Sequence, residues 1–328
     1  MLTVEQFLER RTGIGGSDAS AVCGLSKYAT PLDIYLDKTT ERVKEETEAM
    51  RRGRILEPFV RSLYEHETGY RVHEVPTTHR HPDHPFMLAH LDGLLPSERA
   101  LVELKTADYR TKIHWGAEGS DEIPQEYLIQ CSHYAAVMDI DTVHVGVLFG
   151  DEKLFKAFIA LHRALDLLGE SQPDFEELEV DFRIYTYTRN RTLESRLITK
   201  EKSFWFDHVE KRIPPKPQVD DVEDLLKAYP VGEDKTIQVD EEALQKIQAL
   251  AEIKAKKKAL EETENTVKAS VMSLFGNASS LVDSSNRLLA TWKNKARTVF
   301  DKDRLAQDHP DLMKTFTKTM TTRELRVM

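Results

Sequence analysis

The stretch "MLAHLDGLLPSERALVELKTADYR", residues 87–110, decides how the chain is read. Two runs that look like buried strands are joined by a polar turn, yet Asp92, Glu103 and Lys105 stand inside or at the edge of them. Charged side chains are rarely buried without a partner. Successive strand residues point to opposite faces, so Glu103 and Lys105 share one face and Leu104 takes the other. Two carboxylates brought together by neighbouring strands make a hard oxygen site suited to Mg²⁺ or Mn²⁺. A lysine on the same face can reach a water near that site, and phosphodiester hydrolysis uses this combination. The triplet alone leaves two readings open, because Glu-x-Lys or Asp-x-Lys also occurs at 151–153, 233–235 and 252–254. A metal site and an edge strand with solvated charges both fit it.

Working outward, "RILEPFVRSLYEHETG" places Leu56, Phe59, Val60, Leu63 and Tyr64 on one helix face and stops at Gly69. Pro58 allows either a helix start, with Glu57 in the first turn, or a kink. "TPLDIYLDKT" predicts a short helix capped by Thr30. "YRVHEV", "FMLAHLDGLL" and "ALVELKT" read as strands separated by turns. "IPQEYLIQCSHYAAVM" returns to helix, with Tyr127, Gln130, Cys131, Tyr134 and Met138 on one face. "TVHVGVLFG" (142–150) and "FRIYTYTR" (182–189) read as strands, "LFKAFIALHRALDLL" as a helix, and "SFWFDHVEKRI" as a helix ending at "PPKP" (214–217). This predicts a domain over 1–213, a linker over 214–240 and a helical C-terminal region over 241–328. In that region, residues 241–275 keep helical spacing and "SLVDSSNRLLATWK" forms a hairpin. The histidines of "HEVPTTHRHPDHP" match no zinc spacing and read as a loop. His90 shares the strand face of Asp92.

The chain has 328 residues and a net charge of −10. The charge is uneven: residues 251–328 carry 15 Lys and Arg against 10 Asp and Glu, and residues 1–250 carry the acidic excess. The basic runs "KAKKK", "WKNKAR" and "RELRV" fit DNA backbone, a partner protein or a solvated face equally. No run is long and apolar enough for a membrane span, and "MLTVEQFLERR" has no signal-peptide pattern. Two lone cysteines predict a reducing, cytoplasmic setting.

In order, "RRTGIGGSDASAVCGLSKYATPLDIYLDKT", "RGRILEPFVRSLYEHETGY", "MLAHLDGLL", "VELKT" and "PQEYLIQCSHYAAVM" resemble the YqaJ-type viral recombinases and the related lambda exonuclease, over about residues 8–150. The resemblance implies an α/β PD-(D/E)XK restriction-endonuclease-like core, a mixed sheet flanked by helices, here with a mainly helical C-terminal extension. It implies that Asp92, Glu103 and the backbone carbonyl of Leu104 ligate metal, with Glu57 at a second metal position. It gives two Mg²⁺ or Mn²⁺ ions per site. Lys105 would orient and help deprotonate the attacking water. Gln130 would belong to the active site, with Tyr134 beside the substrate. Arg10, or failing it Arg11, would contact phosphate together with Ser17.

The activity implied is 5′→3′ exonucleolytic hydrolysis of double-stranded DNA from 5′-phosphorylated ends, in the cytoplasm of a bacterial host. It would serve phage recombination with a single-strand annealing protein as partner, and a homo-oligomeric ring is the analogy for assembly. Two alternatives stand beside it: a DNA-end-binding recombination factor without catalysis, and a repair nuclease of the same fold. Nucleases of this fold that hold an iron–sulfur cluster need four cysteines, and this chain has two. Residues 151–181 read as an insertion relative to lambda exonuclease. The family often has a small residue where this chain has His90.

Overall fold

The computed structural model describes residues 8–42, 46–168, 178, 180–318 and 323–327. Residues 1–7 and part of the expected insertion at 151–181 lie outside them. The chain divides into two compact units, Met1–Ala228 and Tyr229–Met328.

In the first unit, β1 (Ile14–Gly15), α1 (Gly16–Val22), α2 (Pro31–Thr39) and α3 (Glu48–Thr68) precede β2 (His79–Arg80), β3 (Met87–Ala89), β4 (Gly93–Leu95) and β5 (Ala100–Asp108). A 3₁₀ turn, Tyr109–His114, leads toward α4 (Gln125–Met138), β6 (Thr142–Gly150), α5 (Glu152–Leu168) and β7 (Asp181–Thr188). The unit closes with α6 (Arg191–Ser203), its π-helical continuation Phe204–Glu210, and α7 (Asp221–Ala228). The main sheet runs β4-β5-β6-β7, and only its central pair, β5 and β6, is parallel. A parallel pair needs a crossover, and α4 supplies it.

Strand periodicity sorts the core into two layers. Leu101 packs with Cys131 and Tyr134 of α4 and with Val143, Val145 and Val147 of β6. Val102 and Leu104 pack with Leu56, Val60 and Tyr64 of α3 and with Phe155 and Phe158 of α5. Glu103 and Lys105 therefore emerge on the α4 side, beneath Gln130. This mixed sheet between helical layers is the α/β architecture expected from the sequence.

Four local features differ from the reading of the sequence. "FMLAHLDGLL" is not one strand. β3 pairs with β1 and β2 in a small sheet, whereas β4 pairs with β5 in the main one. Gly93 permits the break, since a Cβ there would stand 2.1 Å from Val72 Cγ1. Asp92 thus sits at the junction of the two sheets. "YRVHEV" makes a single bridge, His73 to Leu94, rather than a ladder. Helix α3 begins well before Pro58, at the Thr47 cap, whose side chain accepts from Met50 N at 3.2 Å. Pro58 and Arg54 are both exposed, so the helix tolerates the missing bond without ending. Finally, the helix expected at Ser203 starts at Arg191, because Asn190 caps it through Thr192 N and Leu193 N.

Helix α7, beyond the proline break, packs on α2. Thr30 Oγ1 donates to Asp221 Oδ1, which is buried, Arg42 Nη1 pairs with Asp224 at 3.1 Å, and Leu225 and Ala228 lie against the core. A chain ended after residue 213 should therefore be less stable than one ended after Ala228, by about 2 kcal/mol for the lost hydrogen bond from Thr30 to the Asp221 carboxylate alone. Thermal melts followed by circular dichroism read this directly. Equal melting temperatures would show that α7 contributes nothing to the first unit.

The second unit contains α8 (Glu241–Phe275), a hairpin of β8 (Ser280–Val282) and β9 (Leu288–Thr291), then α9 (Lys302–Asp308) and α10 (Pro310–Phe316). Among the described residues no helix is long and apolar enough to cross a membrane.

Candidate active site

A cavity of about 200 Å³ opens where α1, α3, β5 and α4 meet, lined among others by Ser17, Glu57, Asp92, Glu103, Lys105 and Gln130. Leu104 and Tyr134 also reach it. The site residues expected from the sequence thus face one space, except Arg10, which stands at its edge with Nη2 3.5 Å from Ser17 Oγ. Arg10, and not Arg11, makes this contact. His90 is directed elsewhere: its Nε2 lies 2.8 Å from Thr78 Oγ1, which in turn donates to Glu9.

Each side chain is fixed by its neighbours. Asp92 Oδ2 accepts from Leu104 N at 2.8 Å, which ties the sheet junction to β5. Glu103 Oε1 accepts from Lys105 Nζ and, at 2.7 Å, from Gln130 Nε2. Gln130 Nε2 also lies 3.3 Å from Tyr134 OH. Tyr134 fills the space over Gly16, where a Cβ would come within 2.4 Å of its ring. A glycine at 16 is thus needed for β1–α1 to approach α4. Lys105 Nζ additionally sits over the Tyr127 ring at 5.2 Å.

The electrostatics are unbalanced toward negative charge. Burial, then Asp92, pushes Glu103 up to about 8, and Lys105 offsets this only in part. Burial, then Asp92, raises Glu57 to about 7 against the pull of Arg61. Burial raises Asp92 as well. Burial would lower Lys105, but Glu103 and Asp92 outweigh it and keep the ammonium charged. Glu103 Oε2 is buried with no hydrogen-bond partner. An orphaned carboxylate oxygen of this kind is costly unless something cationic meets it.

These residues fit a divalent cation. The donors are all oxygens, three carboxyl groups crowd one space so that each resists ionising beside the others, and Glu103 Oε2 has no hydrogen-bond partner in the protein. Among the described residues no three acidic, His or Cys side chains already converge as a finished ligand set. Glu57 is drawn aside by Arg61 Nη2 at 2.9 Å, and Glu103 Oε1 is engaged by Lys105 and Gln130. Arg61 escaped the sequence reading, although its place four residues after Glu57 on one helix face was a legible signal. It also donates to Asp92 O at 3.2 Å and pairs with Glu74. Lys38 was missed too: its buried ammonium holds Arg10 O at 2.7 Å and Asp18 Oδ2 at 2.8 Å.

A mixed sheet with an Asp at a strand junction, Glu-x-Lys on the next strand and a helix above them that turns Gln130 toward the site is the arrangement that the resemblance to PD-(D/E)XK nucleases leads one to expect. Residues 6–141 match the YqaJ-like viral recombinase domain. Over 176 residues the chain is 34% identical to the uncharacterized protein YqaJ of Bacillus subtilis (strain 168). That alignment covers 52% of this chain and 54% of YqaJ, so the chain spans about half the length of this curated relative. Among solved structures, similarity is found to an alkaline exonuclease (LHK-Exo) from Laribacter hongkongensis, with 23% identity and a TM-score of 0.46 over 64% of this chain and 94% of that one. A phage-related exonuclease from Haemophilus somnus 129PT gives 15% identity and a TM-score of 0.43 over 61% of this chain and 96% of that one.

Proposed function

We propose that the first unit is a divalent-metal-dependent 5′→3′ exonuclease acting on double-stranded DNA ends, resecting them for recombination by single-strand annealing. The observation that carries the reading is the buried, unpartnered Glu103 Oε2 in a carboxylate-lined cavity that also holds a charged lysine. Asp92, Glu103 and the Leu104 carbonyl would hold Mg²⁺ or Mn²⁺, and Glu57 would serve a second ion. When bound, the ions would supply charge neutralisation at the scissile phosphate and a nucleophile at neutral pH.

The chain's own groups do the rest. Lys105 Nζ, charged and anchored on Glu103, orients the attacking water and offsets charge on the phosphate. Gln130 fixes the rotamer of Glu103, whose side chain lines the cavity, by holding its Oε1. Arg10 and Ser17 bind the terminal phosphate. The burial of Glu103 and the half-burial of Asp92 limit the screening of these interactions by bulk water. The product 3′ strand would pass to an annealing protein.

Linear duplex should be degraded in Mg²⁺ and left intact in EDTA. A second readout needs no turnover. Cation binding requires deprotonated carboxylates. With Glu57 near 7 and Glu103 near 8 in the metal-free protein, uptake at about pH 6 should displace protons, and uptake at about pH 9 should not. Calorimetric titration with Mn²⁺ in two buffers of different ionisation heat counts these protons. No proton release at the lower pH would remove Glu57 and Glu103 from the ligand set.

A further inference from the structure

The second unit shows an imbalance that its own chain does not resolve. Phe275 is the one large apolar side chain buried among the described residues 229–328, while Trp292, Phe300 and Phe316 are exposed. A unit of about a hundred residues needs a far larger apolar core to hold together alone.

The longest feature of this unit is α8, 35 residues and therefore about 52 Å long. Along it Ile253, Leu260, Val267 and Leu274 recur at seven-residue intervals, each more than half exposed at 61%, 70%, 57% and 70%. Leu250 and Val271 broaden this stripe at its two ends, while Lys257 and Glu264 occupy the equivalent places at its centre, so the middle of the stripe is one apolar residue per seven flanked by charge. A seven-residue apolar repeat is the pattern that two helices bury by supercoiling around each other.

The charges select the partner and its direction. Lys254, Lys256, Lys257 and Lys258 form a basic block just before Leu260, and Glu261, Glu262 and Glu264 form an acidic block just after it. Within the helix Lys257 pairs with Glu261 at 3.8 Å, a largely exposed and therefore weak contact. A parallel second copy would set lysine against lysine and glutamate against glutamate. An antiparallel copy crossing near Leu260 sets each basic block on an acidic one and lays Ile253 beside Val267 of the other helix. The surface is thus complementary to itself under a twofold axis, which is what an isologous dimer requires.

We propose that α8 is a dimerisation element, pairing antiparallel with α8 of a second copy about an axis near Leu260. The test uses the full chain and sedimentation velocity at micromolar concentration in low salt. Wild type should sediment with twice the mass of a variant carrying Ile253→Lys and Leu260→Lys. Two charge-reversed chains sharpen the test. One carries Lys256→Glu, Lys257→Glu and Lys258→Glu, and the other carries Glu261→Lys, Glu262→Lys and Glu264→Lys. Each alone should lose the association, and mixing the two should restore it as a heterodimer. All substituted positions are exposed, and circular dichroism checks that helix content is unchanged. The proposal is overturned by a wild type that stays monomeric at tens of micromolar, by an assembly mass that none of these substitutions alters, or by a monomer that uses the lysine block only to bind duplex.

Discussion

Glu103→Gln is expected to lower cleavage of linear duplex by about 10³-fold or more while leaving binding to DNA ends within a few-fold of wild type. The substitution keeps the side-chain volume, and the amide oxygen can still accept from Gln130 Nε2 and Lys105 Nζ as Glu103 Oε1 does. What disappears is one negative charge and the carboxylate lone pair of the buried, unpartnered Oε2. A hard cation loses a ligand, and transition-state charge stabilisation of several kcal/mol goes with it, each 1.4 kcal/mol being about tenfold in rate. Duplex affinity rests on phosphate contacts outside this oxygen and should persist. Gln130→Ala gives the graded comparison. It frees the Glu103 rotamer without removing the charge, so a loss of about 10- to 100-fold is expected, typical of groups that orient a metal ligand. Initial rates in Mg²⁺ and end binding in EDTA, on protein shown to be folded, separate these effects. A folded Glu103→Gln chain that cleaves at near wild-type rate would end the metal assignment.

The face shared by Glu103 and Lys105 was legible because strand alternation is strictly local, and so was β6, whose span the apolar run 142–150 matched residue for residue. Gln130 stood out as a polar side chain on an apolar helix face, and it does reach Glu103. What the sequence could not display were features set by distant contacts. The break at Asp92 depends on Val72 closing over Gly93 and on Leu104 N reaching Asp92 Oδ2. Helix α7 looks like linker in composition because its anchoring partner, Thr30, lies 191 positions away. Helix α6 was hidden for a different reason: its Asn190 cap follows directly on the strand reading of "FRIYTYTR", and the alternating strand pattern masked the turn chemistry.

The second large effect concerns the DNA end. Duplex bearing a 5′-phosphate should be digested about 10- to 100-fold faster than matched 5′-hydroxyl duplex, and Arg10→Ala should remove most of that difference. Arg10 Nη2 lies 3.5 Å from Ser17 Oγ, which places a guanidinium and a hydroxyl together at the rim of the carboxylate cavity. Lys38 holds the Arg10 carbonyl at 2.7 Å and is itself neutralised by Asp18 at 2.8 Å, so the loop is pinned without adding a competing cation. A guanidinium fork donates paired hydrogen bonds to two phosphate oxygens, which an ammonium cannot do. A phosphate captured there would set the first scissile bond over Asp92 and Glu103, so that binding energy is converted into position. Losing one such charged contact costs about 1.5–3 kcal/mol, which is the expected range. Arg10→Ala should leave Mn²⁺ binding unchanged, because Arg10 is not among the proposed ligands, and its residual cutting should be slow and alike on both ends. Arg10→Lys should recover only part of the preference, since the charge returns without the fork. The measurement is the initial digestion rate on matched duplexes labelled at each end. Equal wild-type rates on the two kinds of end, or loss of label from the 3′ side first, would refute both the phosphate pocket and the 5′→3′ direction.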